Sequence, residues 1–87
     1  MLTVYSKKNC PFCDQAKALL TKKNITFEEV RVDLDDSAKE FIMSAGHRTV
    51  PQIYQAGQLF VEGGYTGLAR LTESDFTQLL KEENASN

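Results

Sequence analysis

Two cysteines, Cys10 and Cys13, carry the most reactive side chains of this sequence and are separated by only two residues. A thiolate attacks a disulfide through a mixed disulfide, and two cysteines at this spacing on a helix can themselves reach disulfide distance. A β-prone run precedes the pair, and apolar residues recur at helical spacing after it. Pro11 suits the first helical position, so Cys10 is predicted to be the N-cap residue.

The N-cap position favours the thiolate form of Cys10, because unpaired backbone N–H groups and the positive end of the helix dipole face its sulfur. We therefore expect a partly exposed Cys10 to act as the nucleophile. Cys13 lies one turn inside the helix and is expected to be the deeper, resolving thiol.

Two other interpretations of the cysteines stay open at this point. Thiols three residues apart can be simple core residues, or they can be half of a zinc site. Pro11 between them weighs against the first interpretation. A zinc site needs four ligands, and only His47 could add a usual one, so we favour a redox pair and expect no metal.

The composition indicates an ordinary globular protein, with 41% hydrophobic and 25% charged residues in 87, which we interpret as one domain over residues 1–87. A net charge of -2 gives no basic face for nucleic acid and no reason to expect a membrane surface. No apolar run approaches the ~18 residues that span a bilayer, and no secretory signal is visible. We expect the reducing cytosol, where a close cysteine pair is more often catalytic or metal-binding than a structural link.

Hydrophobic periodicity, caps and turn residues divide the chain into strands and helices. Strands are predicted over residues 2–6, 25–32, 52–54 and 59–61. Helices are predicted over 11–23 and 37–45 and from near Thr66. A last helix is predicted after Thr72, which caps it together with Asp75 three residues on, and a frayed tail is expected over 82–87. A βαβ unit followed by a helix, a hairpin and a last helix predicts an α/β fold, a four-stranded mixed sheet with helices on both faces. A C-x-x-C motif beside a βαβ pattern is typical of a thioredoxin-like redox fold. The expected core residues are Phe27, Phe41, Ile53, Phe60, Leu71, Phe76 and Leu79.

Four separated motifs resemble those of the glutaredoxin family and together span about residues 3 to 71. They are Tyr5-Ser6-Lys7, Cys10-Pro11-Phe12-Cys13, Arg48-Thr49-Val50-Pro51 and Gly63-Gly64-Tyr65-Thr66. Each motif alone is weak, but their order and spacing are highly specific, and they look most like small dithiol glutaredoxins of bacteria or phages. The resemblance implies a glutathione-dependent thiol–disulfide oxidoreductase, with Cys10 and Cys13 as its catalytic residues.

The resemblance also implies a groove for glutathione, which acts as co-substrate. Lys7 would contact the glycine carboxylate, and Phe12 would form a wall of the groove in place of the tyrosine common in the family. Pro51 would follow a cis peptide bond, so that the Val50 backbone pairs with the cysteinyl moiety, while Thr49 and Pro51 shape the slot.

The stretch Gly64-Tyr65-Thr66 is implied to bind the γ-glutamyl carboxylate, with glycine permitting a close approach of backbone to ligand and a helix start supplying N–H donors. Gly67 departs from the family pattern, which often has aspartate there to hold the γ-glutamyl amino group. Arg48 is either a solvated surface charge or a group that steers anionic glutathione, and His47 is expected to be a surface loop residue.

The implied partners are glutathione and disulfide-containing or glutathionylated proteins, with ribonucleotide reductase as a protein partner by family analogy, and we expect a monomer. One alternative is a redoxin of the same fold that takes electrons from thioredoxin reductase, which Gly67 would permit. Another is a dimer that holds an iron–sulfur cluster through Cys10 and two glutathiones, against which the rigid Pro11 argues.

Overall fold

A four-stranded mixed sheet organises the computed structural model, which describes residues 1–85. The strands are β1 (Leu2–Ser6), β2 (Phe27–Arg31), β3 (Gln52–Gln55) and β4 (Gln58–Leu59), and the helices are α1 (Pro11–Lys22), α2 (Asp36–Ser44), α3 (Tyr65–Ala69) and α4 (Glu73–Ala85). The sheet order is β2-β1-β3-β4, with β1 parallel to β2 and antiparallel to β3. The predicted fold class is confirmed.

Local sequence signals set most of the helix ends. Asn24 follows α1 with φ 60°, the left-handed conformation that often ends a helix. Asp35 caps α2 by accepting a hydrogen bond from the Ala38 N–H at 3.0 Å. Before α4, the Thr72 N–H donates to Asp75 Oδ2 at 2.9 Å and the Asp75 N–H donates to Thr72 Oγ1 at 3.2 Å, which is a capping box.

The second half of the hairpin differs from its prediction. β4 covers only Gln58–Leu59 instead of residues 59–61. Phe60 and Val61 lie outside the strand and pack against the core, although the Phe60 N–H still donates to the Ile53 carbonyl oxygen of β3 at 2.9 Å. At the other end of the chain, α4 continues to Ala85, so residues 82–85 of the expected tail are helical. Residues 86–87 lie outside the described part of the chain.

The main core lies on the face of the sheet that α1, α3 and α4 cover. Expected core members Ile53, Phe76 and Leu79 are buried there, and Phe27, Phe60 and Leu71 are partly buried against them. The cluster also contains small and aliphatic residues of β1, α1 and α3, namely Leu2, Val4, Ala16, Leu20 and Leu68.

The opposite face of the sheet is covered by α2, and the expectation that Phe41 belongs to the main core is wrong. Ile42 is 5% exposed on the stripe that it shares with Ala38, whereas Phe41 is 40% exposed. Neighbouring residues of a helix point about 100° apart, so both cannot face the same way. The Phe41 ring instead contacts the rings of Tyr5 and Tyr54, with centroids 5.6 and 5.3 Å away.

Among the described residues, no helix has both the length and the apolar character needed to cross a membrane.

Two leucines give a matched test of where the core lies. Leu20 is 0% exposed and Leu34 is 76% exposed. We expect Leu20→Ala to lower the free energy of unfolding by about 2–5 kcal/mol, because it removes transfer energy and leaves a cavity. Leu34→Ala should change it by less than about 0.5 kcal/mol. Urea denaturation followed by circular dichroism measures both; similar losses for the two variants would contradict this placement of the core.

Candidate active site

Cys10 and Cys13 form a disulfide at the start of α1, with their Cα atoms 5.2 Å apart. Cys10 is the N-cap residue, with φ −117° and ψ 97°, and Pro11 is the first helical residue. The Cys13 N–H donates to Cys10 Sγ at 3.1 Å. The predicted N-cap is thus confirmed, and an otherwise unpaired N–H group of the first helical turn points at the Cys10 sulfur.

Both cysteines are buried, which corrects the expectation of a partly exposed Cys10. Cys10 is 6% exposed and Cys13 is 1% exposed, so Cys10 is the more accessible by a small margin. The carbonyl oxygen of Val50 lies 3.7 Å from Cys10 Sγ and covers it from the side of β3. In the reduced protein this carbonyl could accept a hydrogen bond from a Cys10 thiol, so it opposes the effect of the Cys13 N–H.

The segment before β3 brings its backbone to the cysteines. The Val50–Pro51 peptide bond is cis, as the family resemblance implied. The side-chain amide of Gln52 donates to the Thr49 carbonyl oxygen at 2.9 Å and fixes the approach to this bond. Within residues 1–85 the Val50 N–H has no hydrogen-bond partner, so it is free to pair with an extended peptide.

The glycine turn before α3 packs against this segment rather than leaving space for a ligand. A Cβ atom on Gly64 would overlap the carbonyl oxygen of Pro51, and Gly64 has φ 58°. The close approach expected at this glycine is therefore made to the protein's own backbone. The Thr66 N–H donates to the Gly63 carbonyl oxygen at 3.2 Å, so one of the expected anion donors is already engaged within the turn.

An aromatic contact joins the starts of α1 and α3. The Phe12 and Tyr65 rings are stacked, with centroids 6.2 Å apart and planes at 28°. Phe12 is 58% exposed, which is high for a large apolar side chain. The contact joins α1 to α3 at the helix start that carries the cysteines, and the roles expected for Phe12 and Tyr65 in binding glutathione stay predictions.

A groove of about 620 Å³ runs from the loop before Cys10 to α2. Lys7, Arg48, Thr49 and Val50 line it, as does Lys39 of α2. Three cations therefore converge on one concave surface of a chain whose net charge is -2. Lys39 was not identified from the sequence; its only signal is its position next to Ala38 on the helix that has to cover this face of the sheet.

His47 lies in the loop after α2 and is partly exposed, as predicted. The prediction did not include its partner: its Nε2 lies 2.7 Å from the hydroxyl oxygen of Tyr54. No spacing rule connects these two residues, since a turn and a cis peptide bond separate them.

Two carboxylates, Glu29 in β2 and Asp33 just after this strand, hold the elements that precede and follow Cys10 in the chain. Glu29 accepts hydrogen bonds from Ser6 Oγ at 2.7 Å and from Lys17 Nζ at 2.8 Å, which links β1 and α1. Both hydrogen bonds lower the pKa of Glu29, and the bond from Lys17 has the larger effect. Asp33 accepts the Lys8 N–H at 3.3 Å, in the loop that leads to Cys10.

Across residues 1–85, no group of three or more histidine, cysteine, aspartate or glutamate side chains is arranged to hold a metal ion.

Comparisons with known proteins agree with this geometry. The glutaredoxin family model matches residues 2–60, which is more than half of the chain. The chain is 42% identical to glutaredoxin 3 of Escherichia coli K12 over 52 residues, covering 59% of this chain and 63% of that protein. It is 48% identical to glutaredoxin 1 of Rickettsia prowazekii over 56 residues, covering 61% of this chain and 59% of that protein. The alignments thus span less than two thirds of these curated relatives.

Solved structures give the same result. The crystal structure of a wheat glutaredoxin is 30% identical, with a TM-score of 0.75, and the match covers 93% of this chain and 79% of that one. A buckwheat glutaredoxin–glutathione complex shares the fold. It is 22% identical, with a TM-score of 0.73, and the match covers 93% of this chain and 76% of that one. The chain belongs to the glutaredoxin family, which confirms the resemblance carried by the four motifs.

The Arg31–Asp33 ion pair makes a prediction about acid stability. Arg31 donates to Asp33 at 2.8 and 2.6 Å and holds the pKa of that carboxyl at about 2. This lies below the unfolded value of about 3.9, so the contribution to stability is present above about pH 4 and is lost as the pH falls towards 2. We expect the urea midpoints of wild type and Asp33→Asn to differ at pH 6 and to converge near pH 2.

The control for this prediction is Glu40→Gln, because Glu40 is exposed and forms no ion pair with the described residues. Its midpoint should follow the wild-type pH dependence. An Asp33→Asn variant that retained the full wild-type slope between pH 5 and pH 2 would contradict the role of the pair.

Proposed function

We propose that this protein is a glutathione-dependent thiol–disulfide oxidoreductase in which Cys10 is the nucleophile and Cys13 the resolving thiol. The observation that carries the proposal is the N-cap geometry, in which the Cys13 N–H donates to Cys10 Sγ at 3.1 Å. A backbone donor and a helix start at one sulfur stabilise a thiolate, which is the reactive form in disulfide exchange. Membership of the glutaredoxin family supports the same assignment.

The reaction begins when the Cys10 thiolate attacks one sulfur of a substrate disulfide. A new S–S bond forms to Cys10, and the other substrate sulfur leaves as a thiolate that takes a proton from water. In one route, a glutathione thiolate attacks the substrate sulfur of the mixed disulfide, which forms a new S–S bond between glutathione and the substrate and releases Cys10 as a thiolate. In the other, the Cys13 thiolate attacks Cys10 Sγ and displaces the substrate, giving the Cys10–Cys13 disulfide seen in the structure. Two glutathione molecules then reduce this disulfide and leave as oxidised glutathione.

We propose that glutathione binds beside Cys10, in the cationic groove and along the cis-proline segment, residues 47–51. Its glycine carboxylate is assigned to the cationic groove, where Lys7 and Arg48 lie and where Lys39 adds a third positive charge. Its cysteinyl backbone is assigned to the unpaired Val50 N–H, beside Thr49 and the buried Pro51.

The γ-glutamyl end of glutathione is assigned by family resemblance to Gly64-Tyr65-Thr66, and this stretch provides fewer groups for binding it than the family pattern does. The Thr66 N–H is engaged with Gly63, whereas the Tyr65 N–H has no partner within residues 1–85, so this N–H and the Thr66 hydroxyl are left as donors. Gly67 cannot be replaced by aspartate without a backbone shift, because a Cβ atom would overlap the Glu62 carbonyl oxygen and lie 3.2 Å from the Val61 side chain. The proposal therefore relies on the cationic end of the groove for most of the affinity.

The wider role is proposed with the activity. We place the protein in a reducing compartment such as the cytosol, as a monomeric single domain over residues 1–87 acting on protein disulfides and glutathionylated thiols. Ribonucleotide reductase is proposed as one such protein by family analogy.

The cysteine roles are tested by two single substitutions. Cys10→Ser should abolish turnover, because it removes the attacking sulfur. Cys13→Ser should retain at least about a tenth of the activity with a glutathione mixed disulfide, since glutathione can resolve the intermediate, while losing dithiol reduction of a protein disulfide. NADPH oxidation coupled through glutathione reductase measures both.

The outcome that would reverse the roles is a mild Cys10→Ser variant together with an inactive Cys13→Ser variant. Wild-type protein that is inactive in the glutathione-coupled assay but active with NADPH and thioredoxin reductase would overturn glutathione dependence and favour the redoxin alternative.

The cationic groove is tested by Lys7→Ala and Arg48→Ala. We expect each to raise KM for a glutathionylated peptide by about three- to tenfold at low ionic strength, the scale of one exposed charge contact, with kcat within about twofold. The effect should shrink in 0.5 M salt, because salt screens exposed charges. Lys22→Ala, at the far end of α1, is the matched control and should change KM by less than about twofold. Equal KM changes in all three variants would contradict the assignment.

A further inference from the structure

A hydrogen bond connects the start of the cis-proline segment, residues 47–51, to the middle of the sheet. His47 Nε2 lies 2.7 Å from Tyr54 Oη, and the two rings are perpendicular with centroids 5.8 Å apart. Tyr54 is 6% exposed, and a buried tyrosine hydroxyl needs a polar partner. Among the described residues, His47 is the partner that the structure gives it.

Tyr54 is a fixed point in this contact. It lies on β3, which is paired on one side with β1 and on the other with β4. Its ring packs edge-on against Tyr5, with centroids 5.6 Å apart, and against Phe41 at 5.3 Å. A ring packed against two other rings and carried by a strand that is paired on both sides cannot follow a moving loop, so the hydrogen bond constrains His47 rather than Tyr54.

The cis-proline segment has few other anchors before it reaches Cys10. Arg48 and Thr49 are exposed. Within residues 1–85 the remaining hydrogen bonds of this part of the segment are that of the His47 N–H to the Ile42 carbonyl oxygen at 3.0 Å and that of Gln52 to the Thr49 carbonyl oxygen at 2.9 Å. A displacement at His47 would therefore be transmitted to the Arg48 side chain and to the Val50 backbone.

We propose that His47 is a positioning residue, which acts through Tyr54 to hold Arg48 and the Val50 backbone where the substrate of Cys10 binds. The identity of that substrate rests on the proposed function, but the positioning itself does not. His47 is assigned no contact with a reacting sulfur. A tyrosine hydroxyl can both donate and accept, so the contact is available to neutral and protonated imidazole alike, and the role needs no change of charge.

Tyr54→Phe is the direct test, because it removes the hydroxyl and keeps the ring. We expect KM for a glutathionylated peptide to rise about three- to tenfold, with kcat within about twofold, since the cysteines and their helix are unchanged. Tyr5→Phe is the matched control: it makes the same change in the same aromatic cluster, away from His47, and should alter KM by less than about twofold.

A pair of substitutions at the half-buried His47 tests the other partner. A glutamine amide can reach about as far as the imidazole Nε2, so His47→Gln should keep KM within about twofold of wild type. His47→Leu should raise KM as much as Tyr54→Phe does. The double variant His47→Leu/Tyr54→Phe should be no worse than either single variant, because both remove one interaction.

Amide hydrogen exchange of the His47 N–H gives a readout that does not depend on activity. This N–H donates to Ile42, so we expect its exchange to be at least about fivefold faster in Tyr54→Phe and His47→Leu and unchanged in Tyr5→Phe and His47→Gln. Unchanged exchange in Tyr54→Phe and His47→Leu, or equal KM changes in the two tyrosine variants, would overturn the proposal. If wild type fails to reduce glutathione mixed disulfides, the proposed function fails, and the exchange experiment alone then decides the positioning role.

Discussion

The first turn of α1 is the constraint on which the rest of the site depends. Pro11 begins the helix and has no N–H that needs a partner, while the Cys13 N–H, which has no acceptor within the helix because it lies in the first turn, donates to Cys10 Sγ. That contact stabilises negative charge on one sulfur of the pair and not on the other. The opposing contact is the Val50 carbonyl oxygen at 3.7 Å from the same sulfur. The balance between an N–H and a C=O at Cys10 therefore links the helix start to the cis-proline segment, and any element that moves this segment acts on the Cys10 sulfur.

The surrounding elements are held to that point by contacts of different kinds. The loop before Cys10 is held by Asp33, and α1 is held to the sheet through Lys17 and Glu29. On the other side, Gly64 packs beneath the Pro51 carbonyl so closely that no side chain fits between them. Polar contacts thus fix the side of the site that carries the cysteines, and close backbone packing fixes the side that would receive the substrate.

The sequence was sufficient for features that one short stretch determines. Strand β1, the N-cap at Cys10, and the capping box of Thr72 and Asp75 depend on neighbours within a few residues, and all were predicted. Features that depend on tertiary packing were not predicted. The side of α2 that Phe41 takes depends on the tyrosines across the sheet. In the site, the motifs predicted the N-cap cysteine and the cis-proline segment, but the place of Lys39 in the groove and the contact between His47 and Tyr54 arise only when α2 is laid over β3.

The two glycines around the start of α3 show why a departure from a family pattern needs a structural interpretation. Gly64 is required by its approach to Pro51, and Gly67 is required by its approach to Glu62. The lack of a carboxylate at Gly67 is therefore a consequence of how this turn packs, and no single substitution could restore it without moving the turn. In the proposed function, the charge that recognises glutathione has to come from elsewhere, and Lys7, Lys39 and Arg48 line one groove together with residues of the cis-proline segment. The proposed recognition is therefore weighted towards the carboxylate at the glycine end of glutathione, which makes the position of that segment, and hence its anchor on the sheet, more important than the chemistry of the glycine turn.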